Sequence, residues 1–162
     1  MWNSPLRKKI NVPLFPHKGA FAATRKYHMH EGVDLYADDG EQVFAVEDSI
    51  IVKIENFTGL NANPPSPWWE DTMAVLAEGA SGVVVYGEID PLWTLSERSI
   101  LRRGDLVGFV KRVLRVDKGL PMSMLHLELH VHGTTSTCEW KRGEYPPETL
   151  RDPTYFLIES SK

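Results

Sequence analysis

The sequence predicts an all-β fold, an antiparallel β-sheet or sandwich with long loops and a short C-terminal helix. Three features carry that expectation. Apolar residues recur mostly with period two, as on a half-buried strand. Turn signals interrupt the pattern about every ten residues, the rhythm of short antiparallel strands. Only Asp152-Pro153 reads as a helix start, with Asp as N-cap and Pro in the first turn.

The elements follow in order. Val33–Ala37 is a short strand, and Gln42–Val46 follows the turn Asp38-Asp39-Gly40. Ser49–Asn56 holds the β-branched cluster Ile50, Ile51, Val52 and Ile54. Thr72–Glu78 and Gly82–Ile89 join through Gly79-Ala80-Ser81-Gly82 as a hairpin. Leu106–Val116 comes after Arg103-Gly104-Asp105. Met124–His132 alternates strictly, with Leu125, Leu127, Leu129 and Val131 on one face and Met124, His126, Glu128, His130 and His132 on the other. Asn61–Asp71 cannot be a central strand, because Pro64, Pro65 and Pro67 lack the ladder donor. It reads as a long loop tipped by Trp68-Trp69. The helix runs through about Ile158.

A chain of 162 residues suits one domain, taken as residues 1–162. Composition is that of a globular protein, 42% hydrophobic and 25% charged. The net charge is −4 and the densest basic run is Arg7-Lys8-Lys9, which argues against a nucleic-acid partner. The one cysteine, Cys138, excludes an internal disulfide and reads as a bystander rather than a nucleophile. No apolar run approaches the roughly 20 residues of a membrane span. No apolar segment follows the N-terminal charges as in a signal peptide, so the expected location is cytoplasmic, without a membrane partner.

The chemistry is concentrated in histidines and acids. His30 and Asp34 are four apart in His28-Met29-His30-Glu31-Gly32-Val33-Asp34. Imidazole and carboxylate are the usual ligands of hydrolytic zinc, which keeps three protein ligands and one open position. On one extended strand the pair would stand about 13 Å apart, too far for a single ion. Gly32 offers the freedom to fold the segment so that they converge. A third ligand must come from elsewhere, and the best source is the strand of His126. That polar face also reads as an ordinary solvent-facing one, the reading favoured for His130 and His132.

The ordered motifs settle on a resemblance. His30-Glu31-Gly32-Val33-Asp34-Leu35-Tyr36-Ala37 resembles the H-x-G-x-D-[ILF]-x-A motif of lysostaphin/LytM-type zinc metallopeptidases. Gly40-Glu41-Gln42-Val43-Phe44-Ala45-Val46 is similar to their continuation, and Leu106-Val107-Gly108-Phe109-Val110 to their later glycine turn. Met124-Leu125-His126-Leu127-Glu128-Leu129 resembles their H-L-H-F-E strand. The resemblance covers residues 30–133. It implies the antiparallel β-domain of that family, a groove, and one Zn2+ held by His30, Asp34 and His126. It also implies peptide substrates, most often peptidoglycan. Zinc polarises the scissile carbonyl and lowers the pKa of the attacking water.

Two positions depart from the family's catalytic histidines. Met124 stands for the first His of H-x-H, and Glu88, in Tyr86-Gly87-Glu88-Ile89, for the His of Y-x-H-[LI]. Met can neither donate a hydrogen bond nor move a proton. Glu88 is open to three readings: general base beside a metal-bound water, fourth ligand, or surface acid. Glu128 matches the family's Glu and is expected behind the ligands. Arg25 and His28 either line the groove or are exposed filler, and His130 reaches the site only if its strand curves inward. Trp68 and Trp69 suit either ligand binding or core; Trp93 and Trp140 are assigned to packing. The leading reading is a zinc-dependent peptidase acting on peptide or peptidoglycan-type substrates with Glu88 as base. The alternative is an inactive metal-binding relative serving as a recognition or regulatory module. A lipoyl-like carrier fails because no Lys stands at a hairpin tip; Lys53 lies inside a strand run.

Overall fold

The computed structural model describes residues 1–162. Nine strands and one helix follow in the order β1 (Val33–Tyr36), β2 (Gln42–Phe44), β3 (Ser49–Thr58), β4 (Thr72–Gly79), β5 (Gly82–Pro91), β6 (Ile100–Leu101), β7 (Leu106–Val110), β8 (Met124–His130), β9 (Leu150–Arg151) and α1 (Thr154–Ser160). All pairings are antiparallel, in the spatial order β1-β8-β5-β4-β3-β6. The expected all-β class with a short terminal helix is what the chain adopts. The strand expected through Val116 ends at Val110, and β6 and β9, two residues each, carry no sequence period to announce them. The helix begins one residue later than Asp152-Pro153 implies: Pro153 is its N-cap, without a side-chain cap bond, and the Asp152 carboxylate accepts the Thr154 amide at 2.8 Å from just outside it.

The period-two pattern sorts the residues into two buried faces. Leu125, Leu127 and Leu129 of β8 join Val33 and Leu35 of β1, and Val84 and Tyr86 of β5, in one 22-residue core cluster. The N-terminal segment and α1 close it from outside, with Trp2 stacked on Phe156 at 4.8 Å between ring centroids. Truncating a side chain such as Leu127 to Ala here costs about 2–5 kcal/mol, transfer and cavity terms together.

The second face of β8, expected to meet solvent at His130 and His132, is buried along the whole strand. All seven residues of β8 are buried, His130 completely so. The segment after β8 returns across this face: the Met29 amide donates to the Trp140 carbonyl, Thr137 Oγ1 bonds Glu55, and Thr149 Oγ1 reaches His130. Beside the polar column lie Val83 and Val85, the strand partners of His130 and Glu128. His132, past the strand end, is exposed as expected.

β5 changes neighbours along one edge. Val83–Gly87 pair with His130–His126 of β8, and Ile89–Pro91 pair with Val110–Gly108 of β7. Glu88 stands at the changeover. On the other edge Tyr86 pairs with Val75 and Ile89 with Met73, so Gly87 and Glu88 together face Ala74, a β-bulge. Glu88 has a left-handed φ of 59°, unusual for a side-chain-bearing residue.

Trp140 is buried, as assigned, but Trp93 is 89% exposed and packs on nothing. It follows the end of β5 in a surface turn, where no sheet lies over it. The Pro-rich stretch is a loop, with Trp68 exposed and Trp69 partly buried. No helix is long and apolar enough to cross a membrane.

Candidate metal centre

His30 and Asp34 converge because the chain bends between them. The amide of His30 donates to the Ala23 carbonyl and its own carbonyl accepts from Ala22, pinning His30 before the bend at Gly32. A Cβ on Gly32 would sit 2.5 Å from the Leu127 carbonyl oxygen and 2.9 Å from His126 Nε2, so only glycine lets the chain pass this close to β8. β1 then enters in a register that pairs Asp34 directly with His126, on the same face of the sheet.

Three atoms meet there. His30 Nε2 lies 3.0 Å from Asp34 Oδ1 and 3.2 Å from His126 Nδ1, and His126 Nδ1 lies 2.9 Å from the same Oδ1. All three residues are buried, and they form a group able to hold a metal ion. The separations approach the ligand–ligand edge, about 3.3 Å, of a tetrahedron with bonds near 2.0 Å. The other ring nitrogens are already occupied. His30 Nδ1 donates to the Ala20 carbonyl at 2.8 Å, and His126 Nε2 meets Glu128 Oε1 at 2.9 Å. A carbonyl only accepts, so His30 presents its lone pair at Nε2. Two imidazole nitrogens and a carboxylate oxygen facing one point are held together by a proton or by a cation.

The electrostatics agree. Burial disfavours charge on His126, yet its hydrogen bonds to Asp34 and Glu128 hold its pKa well above the ordinary imidazole value. Burial likewise works against ionised Asp34, and the bonds from His126 and His30 outweigh it, keeping the carboxyl far below its usual range. Arg25 Nη2 donates to the other oxygen, Asp34 Oδ2, at 3.0 Å and to the Lys18 carbonyl. Asp34 therefore turns one oxygen to the histidines and the other to a guanidinium.

A polar column continues behind His126. Glu128 Oε2 accepts from His130 Nε2 at 2.7 Å, and His130 Nδ1 meets Thr149 Oγ1 at 3.1 Å. Burial opposes the charge of Glu128, but its two histidine partners bring its pKa down to about 2. His130, read as solvent-facing polar filler, is instead sealed inside this chain. The strand does not curve to bring it to the open side.

Glu88 lies within electrostatic reach of Asp34, His126 and Arg25. Its Oε2 is enclosed and has no hydrogen-bond partner. Burial first, then the Asp34 charge, pushes its pKa up to about 8, with His126 and Arg25 pulling the other way. The bulge accounts for its aim: strict alternation would send it elsewhere. An orphaned, buried carboxyl oxygen near Asp34 and His126 fits a cation site.

The remaining candidates fall on both sides. Met124 is buried and pairs with Tyr36, whose phenol pKa is raised by burial and by Asp34. His28 is tied into an isolated bridge with Lys141, and no hydrogen bond links its side chain to the cluster. Burial and the charges of Glu128 and Glu31 push the Cys138 thiol up to about 11, the opposite of an activated nucleophile. Phe57 was missed: its ring packs 5.5 Å from the His126 ring, in space that a Cβ on Gly87 would fill at 2.6 Å. The β-branched pattern ends at Asn56, one residue before Phe57, whereas the strand runs on to Thr58. Thr149 and the Ala20 carbonyl were missed too, and no local pattern announces either.

No protein-family model and no curated protein sequence matches the chain. Solved structures do. A peptidase of the M23 type from Pseudomonas aeruginosa superposes with a TM-score of 0.55 at 15% identity, covering 97% of this chain and 50% of that one. A zinc-containing peptidase from Vibrio cholerae gives 0.55 at 14% identity over 90% of this chain and 40% of its own. The catalytic domain of the antimicrobial peptidase lysostaphin from Staphylococcus simulans gives 0.52 at 16% identity, over 98% and 90%. The chain thus spans half or less of the first two structures. The fold is that of the M23/lysostaphin-type peptidases.

Proposed function

We propose that this chain, as one domain, binds a single Zn2+ through His30 Nε2, Asp34 Oδ1 and His126 Nδ1 and hydrolyses a peptide bond in a peptide or peptidoglycan-type substrate. The observation that carries the reading is the triangle of donor atoms, 2.9 to 3.2 Å on a side, in a fold shared with zinc peptidases. Zinc in such a setting lowers the pKa of water and polarises a carbonyl. The chain's own residues do the rest. Glu128 and the Ala20 carbonyl orient the two imidazoles, Arg25 holds Asp34, and Phe57 covers the His126 ring. Glu88 takes a proton from the attacking water at Oε2 and returns it to the leaving amine. Burial and the Asp34 charge hold the Glu88 pKa at about 8 without a metal, and a divalent cation beside it would favour the ionised form that a base needs near neutrality.

One observation favours a second reading, a metal-binding recognition module without turnover. Met124, beside the ligands, offers no hydrogen bond to a developing oxyanion, and loss of one such donor costs on the order of 100- to 1,000-fold in kcat. The two readings separate by challenging zinc-loaded protein with a mixed peptide library, alongside Glu88→Gln. Cleavage by the wild type, reduced about 100-fold or more in the variant with metal retained, is the expected result. No wild-type cleavage at full metal occupancy favours the recognition module. Loss of metal in the variant makes Glu88 a ligand.

A further inference from the structure

A hydrolytic centre needs, besides a base, a donor aimed at the oxygen on which charge grows. On the face that carries the ligands the supply is short. Both ring nitrogens of His30 and of His126 are engaged, and Arg25 Nη2 is committed to Asp34 and Lys18. The Met124 thioether donates nothing. Two donors are left: Arg25 Nε, which is enclosed, and the hydroxyl of Tyr36, which is partly exposed and open to a ligand. Tyr36 follows Asp34 by two residues on β1, so it projects from the same face, and it is the direct cross-strand partner of Met124.

The position of its hydroxyl is defined by what surrounds it. The oxygen lies 3.1 Å from where a Cβ on Gly19 would stand, and Asp34 Cβ lies 3.3 Å from that same point. The phenol oxygen and Asp34 Cβ therefore flank the same point beside Gly19, where the missing side chain leaves room. Its ring rests against the His17 imidazole, centroids 5.8 Å apart. The hydroxyl has no hydrogen-bond partner in the protein, and the residue is only partly buried. It is a free donor at the rim of the metal centre.

Resting on the zinc-hydrolase reading above, we infer that the Tyr36 hydroxyl is the hydrogen-bond donor to an oxygen of the bound substrate, the service that Met124 cannot give. The ligand class it selects is a carbonyl or an oxyanion at the metal centre. Tyr36→Phe removes one oxygen atom and keeps the ring that packs on His17.

The test is a cobalt(II) titration followed by visible absorption, then titration of the loaded protein with acetohydroxamate. Tyr36→Phe is expected to take cobalt with wild-type affinity and to bind acetohydroxamate about tenfold more weakly, the effect of one lost hydrogen bond to a charged group. Equal acetohydroxamate affinity in the two proteins overturns the role of Tyr36 and leaves the metal centre standing. Weaker cobalt binding in the variant also overturns it, because the phenol then acts on the ion's own ligands. A wild type that takes up no cobalt overturns the zinc reading and this inference with it.

Discussion

Asp34 and His126 are direct partners across the β1–β8 ladder, and their Oδ1 and Nδ1 atoms stand 2.9 Å apart. Strand register alone places these two groups together. The third, His30, is brought in by a bend, and so the centre depends on both regular and irregular backbone. That division sets what mutations should do.

Glu128→Gln tests the support behind the ligands. The carboxylate fixes the His126 ring through Nε2 and is itself fixed by His130. Loss of such a partner typically weakens metal binding 10- to 100-fold. Competition against a chelator of known affinity should show that drop for Glu128→Gln and a smaller one for His130→Asn; unchanged affinity in both would remove the column from the account.

Gly32→Ala tests the bend. The added methyl meets the Leu127 carbonyl at 2.5 Å, a contact with backbone that cannot rotate away. Overpacking of this kind costs about 1–3 kcal/mol. Thermal unfolding should reveal that loss, and metal affinity should fall too because His30 is displaced from Asp34. A variant with wild-type stability and affinity would show the bend to be unconstrained.

The pH dependence of the chelator-treated protein has a definite sign. Glu88 is held above its ordinary value of 4.5, at about 8, so the stability it contributes is full below 4.5 and is lost as pH rises to about 8. His126 is raised above 6.5, so its contribution is likewise lost as pH rises above that value. Glu128, lowered to about 2, changes only below pH 4.5. Between pH 5 and 8 the melting temperature without metal should therefore fall, and Glu88→Gln should flatten the decline. Added zinc should raise the melting temperature more at pH 8 than at pH 5, because protons compete for the same nitrogens. A metal-independent rise from pH 5 to 8 would contradict these assignments.

Much of the fold was legible because its strands are amphipathic or apolar at period two, as Ser49–Thr58 and Met124–His130 show. The convergence of His30 and Asp34 was legible through Gly32. The burial of His130 was not, since it depends on the segment up to Thr149 folding back, a non-local event without a local pattern. The aim of Glu88 was equally hidden. A bulge adds one residue and reverses the facing that alternation predicts, and nothing in Tyr86-Gly87-Glu88-Ile89 marks it beyond a glycine. Trp93 misled for the opposite reason: a large aromatic reads as core, and here it stands in solvent.

His30, Asp34 and His126 are proposed to hold one ion per chain. Elemental analysis of purified protein after dialysis against zinc, wild type beside His126→Ala, tests this most directly. One zinc per wild-type chain is expected, with a fall to a small fraction of that in the variant. Wild type without bound zinc, or equal zinc in both proteins, would contradict it.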